Sequence, residues 1–194
     1  MSTSYSLACQ FCSSHNNEHL SYEGGDGVSV NEESPTVDPD SNPRAGRLVR
    51  AEREVLAAGG CVLRLAGLYL LERGAHNFWL TSGKPIAGRP DGLINLLHYD
   101  DAASACLAAV KAGPQVCKGK CFLVSDGNPQ TRSQICESAL LATMYKGFEM
   151  PAFQSPGKNG PPQSIGKVYD GSRTEKLLSW KPLYESFPKF MSSQ

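Results

Sequence analysis

Apolar residues in this chain come in short runs set between glycine, proline and acidic punctuation. The longest, Cys61-Val62-Leu63-Arg64-Leu65-Ala66-Gly67-Leu68-Tyr69, is interrupted by a single charge. Such a run predicts a strand buried on both faces over 62–66 that ends in a glycine turn. Leu93–His98 is a second run of this kind and leads directly into Asp100-Asp101-Ala102-Ala103. It predicts a strand followed by a helix from Asp101 to about Ala112, with both aspartates capping the helix start. Residues 61–112 are therefore expected to form two neighbouring strands and a covering helix. Lys120–Ser125 predicts a third strand, closed by the turn Asp126-Gly127-Asn128-Pro129.

The helical pattern appears elsewhere. Ser41-Asn42-Pro43 reads as a capped helix start, Leu48, Ala51, Val55 and Leu56 follow at helical spacing, and Gly59-Gly60 ends the element. A short helix is expected near His76–Ser82, with Lys84–Asp91 as a polar turn. Thr131-Arg132-Ser133-Gln134 is a capping box for a helix reaching Tyr145, and Ser172-Arg173-Thr174-Glu175 is a second for a helix ending at Leu178. Residues 150–166 read as a loop, and Tyr184–Met191 as a last amphipathic turn. Residues 1–40 lack apolar periodicity and are expected to be largely irregular, with Gly27–Val30 an edge strand at best. The domain proper spans 41–194. Three strands alternating with capped helices predict an α/β fold, with fewer strands than a doubly wound sheet needs.

Composition narrows the partners. Lys+Arg and Asp+Glu both number 19, so the net charge is zero, and no long run of like charge is present. That balance argues against nucleic acid or an anionic membrane surface as the main partner. Apolar runs are too short to span a bilayer. Seven cysteines, several inside apolar patterns, suit a reducing compartment better than a disulfide framework, and no secretory signal pattern opens the chain. A soluble protein of the cytoplasm or a plastid is expected.

Four features carry candidate chemistry. Cys9, Cys12, His15 and His19 are zinc-ligand types, but the two pairs lie too close together to bracket a folded segment, so an incidental cluster is expected. No glycine-rich turn joins a strand to a helix: Glu23-Gly24-Gly25-Asp26-Gly27 has no strand before it, and Gly113–Lys120 has the wrong spacing for a phosphate loop. Arg64, inside an apolar strand, needs partners for five donors and reads as a clamp between neighbouring loops, or otherwise as an anion contact. His98, at a strand end, is a packing residue or a site residue.

Arg44–Glu54, Val62–Tyr69, Arg73-Gly74 and Asn95–Ala103, followed by Phe122–Gly127 and Leu177-Leu178-Ser179-Trp180-Lys181-Pro182, stand in an order that resembles the later half of the atypical and extended short-chain dehydrogenase/reductases, the relatives of epimerases and dehydratases. The resemblance implies the C-terminal portion of an NAD(P)-binding Rossmann-like fold that lacks its glycine-rich βαβ unit. By that likeness Leu65, Ala66, Gly67 and Leu68 line the reactive end of NAD or NADP. Arg73, Asn95 and His98 then lie near the pocket of a small-molecule substrate.

The sequence departs from the family in ways that weigh on activity. Where the family has a Tyr followed four residues later by Lys, this chain has Arg44 and Leu48, so neither the phenol nor the ammonium is present. Tyr22, further upstream, is a poor substitute. Leu70-Leu71-Glu72 replaces a Gly-Pro-Gly-like turn. Impaired catalysis is the expectation. The alternative is a non-catalytic binding or regulatory module that associates with a full-length relative. Missing strands would leave a sheet edge open, so marginal stability or self-association is expected.

Overall fold

The computed structural model describes residues 7–11, 22–41, 43–154 and 164–194. Its centre is a three-stranded parallel sheet in the order β1-β3-β8, formed by β1 (Leu7–Phe11), β3 (Cys61–Leu65) and β8 (Cys121–Val124). Leu7 to Phe11 pair in register with Cys61 to Leu65, and Val62 to Leu65 pair with Cys121 to Val124. All of β3 is buried, as its unbroken apolar run requires. β1 is a finding against expectation: the polar leader supplies a neighbour to the central strand.

Helix α1 (Pro43–Ala57) starts at the expected proline, but the Ser41 hydroxyl donates to the Asp38 carbonyl within its own turn. β2 (Ser29–Val30) pairs in parallel with β11 (Val168–Tyr169). β4 (Gly67–Tyr69) leads through the bridged turn Leu70–Arg73 to α2 (Ala75–Thr81), and β5 (Ile86–Ala87) pairs with β10 (Phe153–Gln154). Short strands thus interrupt what reads as turn and loop at 84–91 and 150–166.

The run expected as one strand over 93–98 is two. β6 (Leu93–Ile94) pairs antiparallel with β9 (Gln130–Thr131), and β7 (Leu96–His98) pairs in parallel with β4. The two expected neighbours therefore meet through Gly67–Tyr69 rather than through Val62–Leu65, because β1 and β8 already occupy both edges of β3.

α3 (Tyr99–Cys117) is broken at Gly113, whose φ of 71° precedes Pro114. Its Ala102, Ala105 and Ala109 are buried and share an apolar cluster with Leu63, Leu65, Phe122 and Val124. Small side chains let the helix approach the sheet closely. Its start corrects the expectation for the aspartates: His98 is the cap, and its side chain accepts from the Asp100 amide.

α4 (Arg132–Ala139) opens with the capping box from Thr131 and Gln134, yet stops at Ala139. A 3-10 turn over Thr143–Tyr145 then covers the rest of the expected helix. α5 (Ser172–Leu178) has no side-chain cap from a second capping box; Asp170 Oδ1 accepts from the Ser172 amide instead. α6 (Phe187–Ser192) is capped by Ser186. Its Phe187 and Met191 close a second core with Tyr69, Trp79, Ile94 and Ile135. The two cores adjoin where β3 becomes β4.

Candidate functional site

The site is built on that junction. The Ala66 amide donates to Val124 O and the next amide, Gly67, donates to Asn95 O, both at 2.9 Å. In one residue the chain leaves the central sheet and joins β7. Ala66 is 1% exposed and Gly67 is also buried. Small residues at the carboxyl end of a parallel strand, beside a change of strand partner, are where open α/β sheets place ligands. Leu65 is buried in the first core and Leu68 is half-buried against it.

Asn95 holds the junction from the side. Its Nδ2 donates to Lys167 O at 2.8 Å and its Oδ1 accepts from the Tyr169 amide at 2.9 Å. The side chain links the Gly67 crossing to β11. His98 is 3% exposed, and Tyr69, Tyr184 and Phe190 surround its ring with centroids 3.8–5.3 Å away. With Nδ1 accepting from Asp100, the neutral ring carries its proton on Nε2. Burial holds its pKa below the ordinary histidine value, against the pull of Asp100 and Asp101. Arg73 is exposed, with its guanidinium 5.2 Å from the centre of the Tyr99 ring. Next to it, Gly74 has a φ of 135°, and a Cβ there would lie 3.1 Å from the His76 ring and 3.2 Å from Leu68 O, so the turn into α2 needs glycine.

Arg64 clamps a helix rather than two loops. Its Nε donates to Glu52 Oε1 at 2.9 Å and its Nη2 to Oε2 at 2.5 Å, in a pair only 5–6% exposed. The guanidinium also lies 4.7 Å from the centre of the Tyr22 ring. Charged on one side and aromatic on the other, this clamp binds α1 and the Tyr22 segment to β3.

Two groups were not singled out by sequence. Asp126 reads as an ordinary turn residue, but it is 5% exposed and its Oδ2 has no hydrogen-bond partner among the described residues. Burial pushes its pKa up to about 7, against the hydrogen bond from the Asn128 amide and with the nearby Asp101 carboxylate adding to the rise. Asp101 is itself occupied, accepting from the amides of Leu183 at 2.7 Å and Tyr184 at 3.0 Å. Arg132 reads as part of a capping box but is 2% exposed. Nothing in the neighbouring sequence of either residue marks its burial.

Of the expected zinc-ligand types, Cys9 lies in β1, while Cys12, His15 and His19 fall outside the described residues. Among the described residues no group of His, Cys, Asp or Glu could hold a metal ion, and no helix is long and apolar enough to cross a membrane. No glycine-rich turn among them leads directly from a strand into a helix.

No family model matches the sequence, and no curated protein matches it. Solved structures do match its shape. A dTDP-glucose 4,6-dehydratase from Bacillus anthracis, in complex with NAD, is 16% identical with a TM-score of 0.68, covering 95% of this chain and 60% of its own. A UDP-glucuronic acid 4-epimerase from Bacillus cereus, in complex with UDP-glucuronic acid and NAD, is 14% identical at 0.64, with coverages of 95% and 59%. A functionally unknown conserved protein from Silicibacter pomeroyi is 21% identical at 0.71, with coverages of 96% and 65%. The fold is thus Rossmann-like α/β, and the chain spans about 60% of the length of the solved chains it matches.

Proposed function

We propose that this chain is an NAD(P)-binding relative of the epimerases and dehydratases whose fold it shares. The nicotinamide end of the cofactor would meet Leu65, Ala66, Gly67 and Leu68. The observation that supports this most is the one-residue passage from β8 to β7 at Ala66 and Gly67, which leaves small, buried residues at a strand's carboxyl end.

The residues present fit that end of the cofactor and do not supply the other. Ala66 and Gly67 are small, as a flat ring packed on the chain would need, whereas no described turn offers the backbone amides that hold a pyrophosphate. When bound, the cofactor would supply hydride chemistry. The chain's own contribution is positioning. Asn95 sets the Gly67 crossing against β11, His98 fixes the start of α3, and Arg73 stands on the open side beside Tyr99.

Proton transfer is poorly provided for. Helix α1 carries no tyrosine and no lysine. The buried Tyr69 phenol is held in its neutral form, first by burial and then by Asp126 and Asp101. Impaired catalysis follows. Titration of NADH and NADPH, followed by cofactor fluorescence, tests the reading. Micromolar binding supports it, and an absence of binding at millimolar cofactor overturns it.

A second reading has its own observation. β1 stands at the edge of the central sheet, and no strand pairs with its outer side among the described residues. An open edge of this kind fits a binding or regulatory module that joins a full-length relative or a second copy. Capture of a defined relative together with absent cofactor binding would favour it.

A further inference from the structure

We infer that Arg132 is an anion-binding residue, the anchor for a carboxylate or phosphate group on a small-molecule ligand. Its side chain lies under the turn Arg89–Gly92. The Arg132 amide donates to Gly92 O at 3.0 Å, and its Nη1 donates to Arg89 O at 3.2 Å. Ser133 fastens the same turn through its amide and hydroxyl, both donating to Pro90 O. Gly92 is required by this arrangement, because a Cβ there would sit 1.7 Å from Arg132 Nη1.

The guanidinium is under-used. It has five N–H donors, and one backbone carbonyl is its hydrogen-bond acceptor among the described residues. No carboxylate pairs with it there. Asp91, whose charge acts on it, is already held by Arg89 through bonds of 2.8 and 2.6 Å. The contrast with Arg64 is direct: that buried guanidinium has a carboxylate on two of its nitrogens, and Arg132 has none. A buried cation left this way is costly unless something completes it. Arginine's planar fork matches an oxyanion in two-point contact, and among the described residues no acceptor takes Nε or Nη2.

Its placement suggests what the anion belongs to. Gly92 lies three residues from Asn95, whose carbonyl holds Gly67, so the guanidinium is roughly 10 Å along an extended chain from the crossing. Taking the crossing as the reacting end rests on the function proposed above; the anion site itself does not. The ligand class is a small molecule with an oxyanion at one end.

The full chain should be titrated calorimetrically with inorganic phosphate and, separately, with acetate at constant ionic strength, without cofactor. At least one should give a saturable isotherm, and the one that does tells phosphate from carboxylate ligands. Arg132→Gln should weaken that binding tenfold or more, Gly92→Ala should weaken it by displacing the guanidinium, and Arg132→Lys should retain part. If Arg132→Gln fails to fold, Gly92→Ala and Arg132→Lys decide. Equal isotherms in wild type and folded variants, or no saturable binding of either anion, would overturn the assignment. Loss of anion binding with NADH binding intact, or the reverse, separates this inference from the cofactor reading.

Discussion

Arg64 and Glu52 form a two-point ion pair inside the protein, with Nε and Nη2 of the arginine on the two carboxylate oxygens at 2.9 and 2.5 Å. The pair is the hinge pin between β3 and α1. Removing one partner strands a buried charge, which costs far more than the pair itself contributes. Glu52→Ala is therefore expected to destabilise the chain by about 3–5 kcal/mol. Replacing both residues with apolar ones, Glu52→Leu with Arg64→Met, should recover much of that loss. Urea unfolding of the two variants checks it, and equal midpoints for the single and double variants would contradict it.

Asn95 is expected to act through structure. Asn95→Ala deletes the acceptor of the Tyr169 amide and the donor to Lys167 O, at about 1–3 kcal/mol per buried group left unsatisfied. Unfolding midpoints should fall accordingly, and hydrogen exchange at Tyr169 should speed up. Unchanged exchange at Tyr169 would count against a positioning role.

Asp126 ties stability to pH. Its carboxyl is raised from 3.8 to about 7, so the folded state holds a proton that the unfolded chain releases. Protons bound in the native state make stability fall as pH rises. This contribution is present in full below pH 3.8 and is lost as pH climbs through about 7. The facing Asp101 carboxylate disfavours the ionised form. Asp126→Asn keeps an acceptor for the Asn128 amide without the charge. It should exceed wild type in stability at pH 8 and match it near pH 4, as read by thermal unfolding at both. A difference that grows toward acid pH would contradict the assignment.

The outer edge of β1, unpaired among the described residues, predicts association. Light scattering across a concentration series should show self-association of the full chain, or a broad thermal transition. A monomer with a sharp cooperative transition would speak against an exposed edge.

What was readable in the sequence follows from which interactions are local. The run 61–69 marks a buried strand because both faces are apolar, and Thr131 to Gln134 forms its capping box because both partners lie within one turn. The split of 93–98 was hidden, since its alternation is decided by partners at 67–69 and 130–131. β1 escaped notice because a polar leader becomes a strand only when β3 offers its edge. His98 rather than the aspartates caps α3, and amides 82 and 83 residues away claim the Asp101 carboxylate. Arg132 and Asp126 have unremarkable neighbours in sequence and acquire their character from burial alone.

The cofactor's position is the point on which the functional reading stands. Saturation-transfer difference NMR of NADH with the full chain addresses it directly. Saturation strongest on the nicotinamide protons, and reduced by Ala66→Leu, is the predicted result. Saturation confined to the adenine, or none at all, would contradict it.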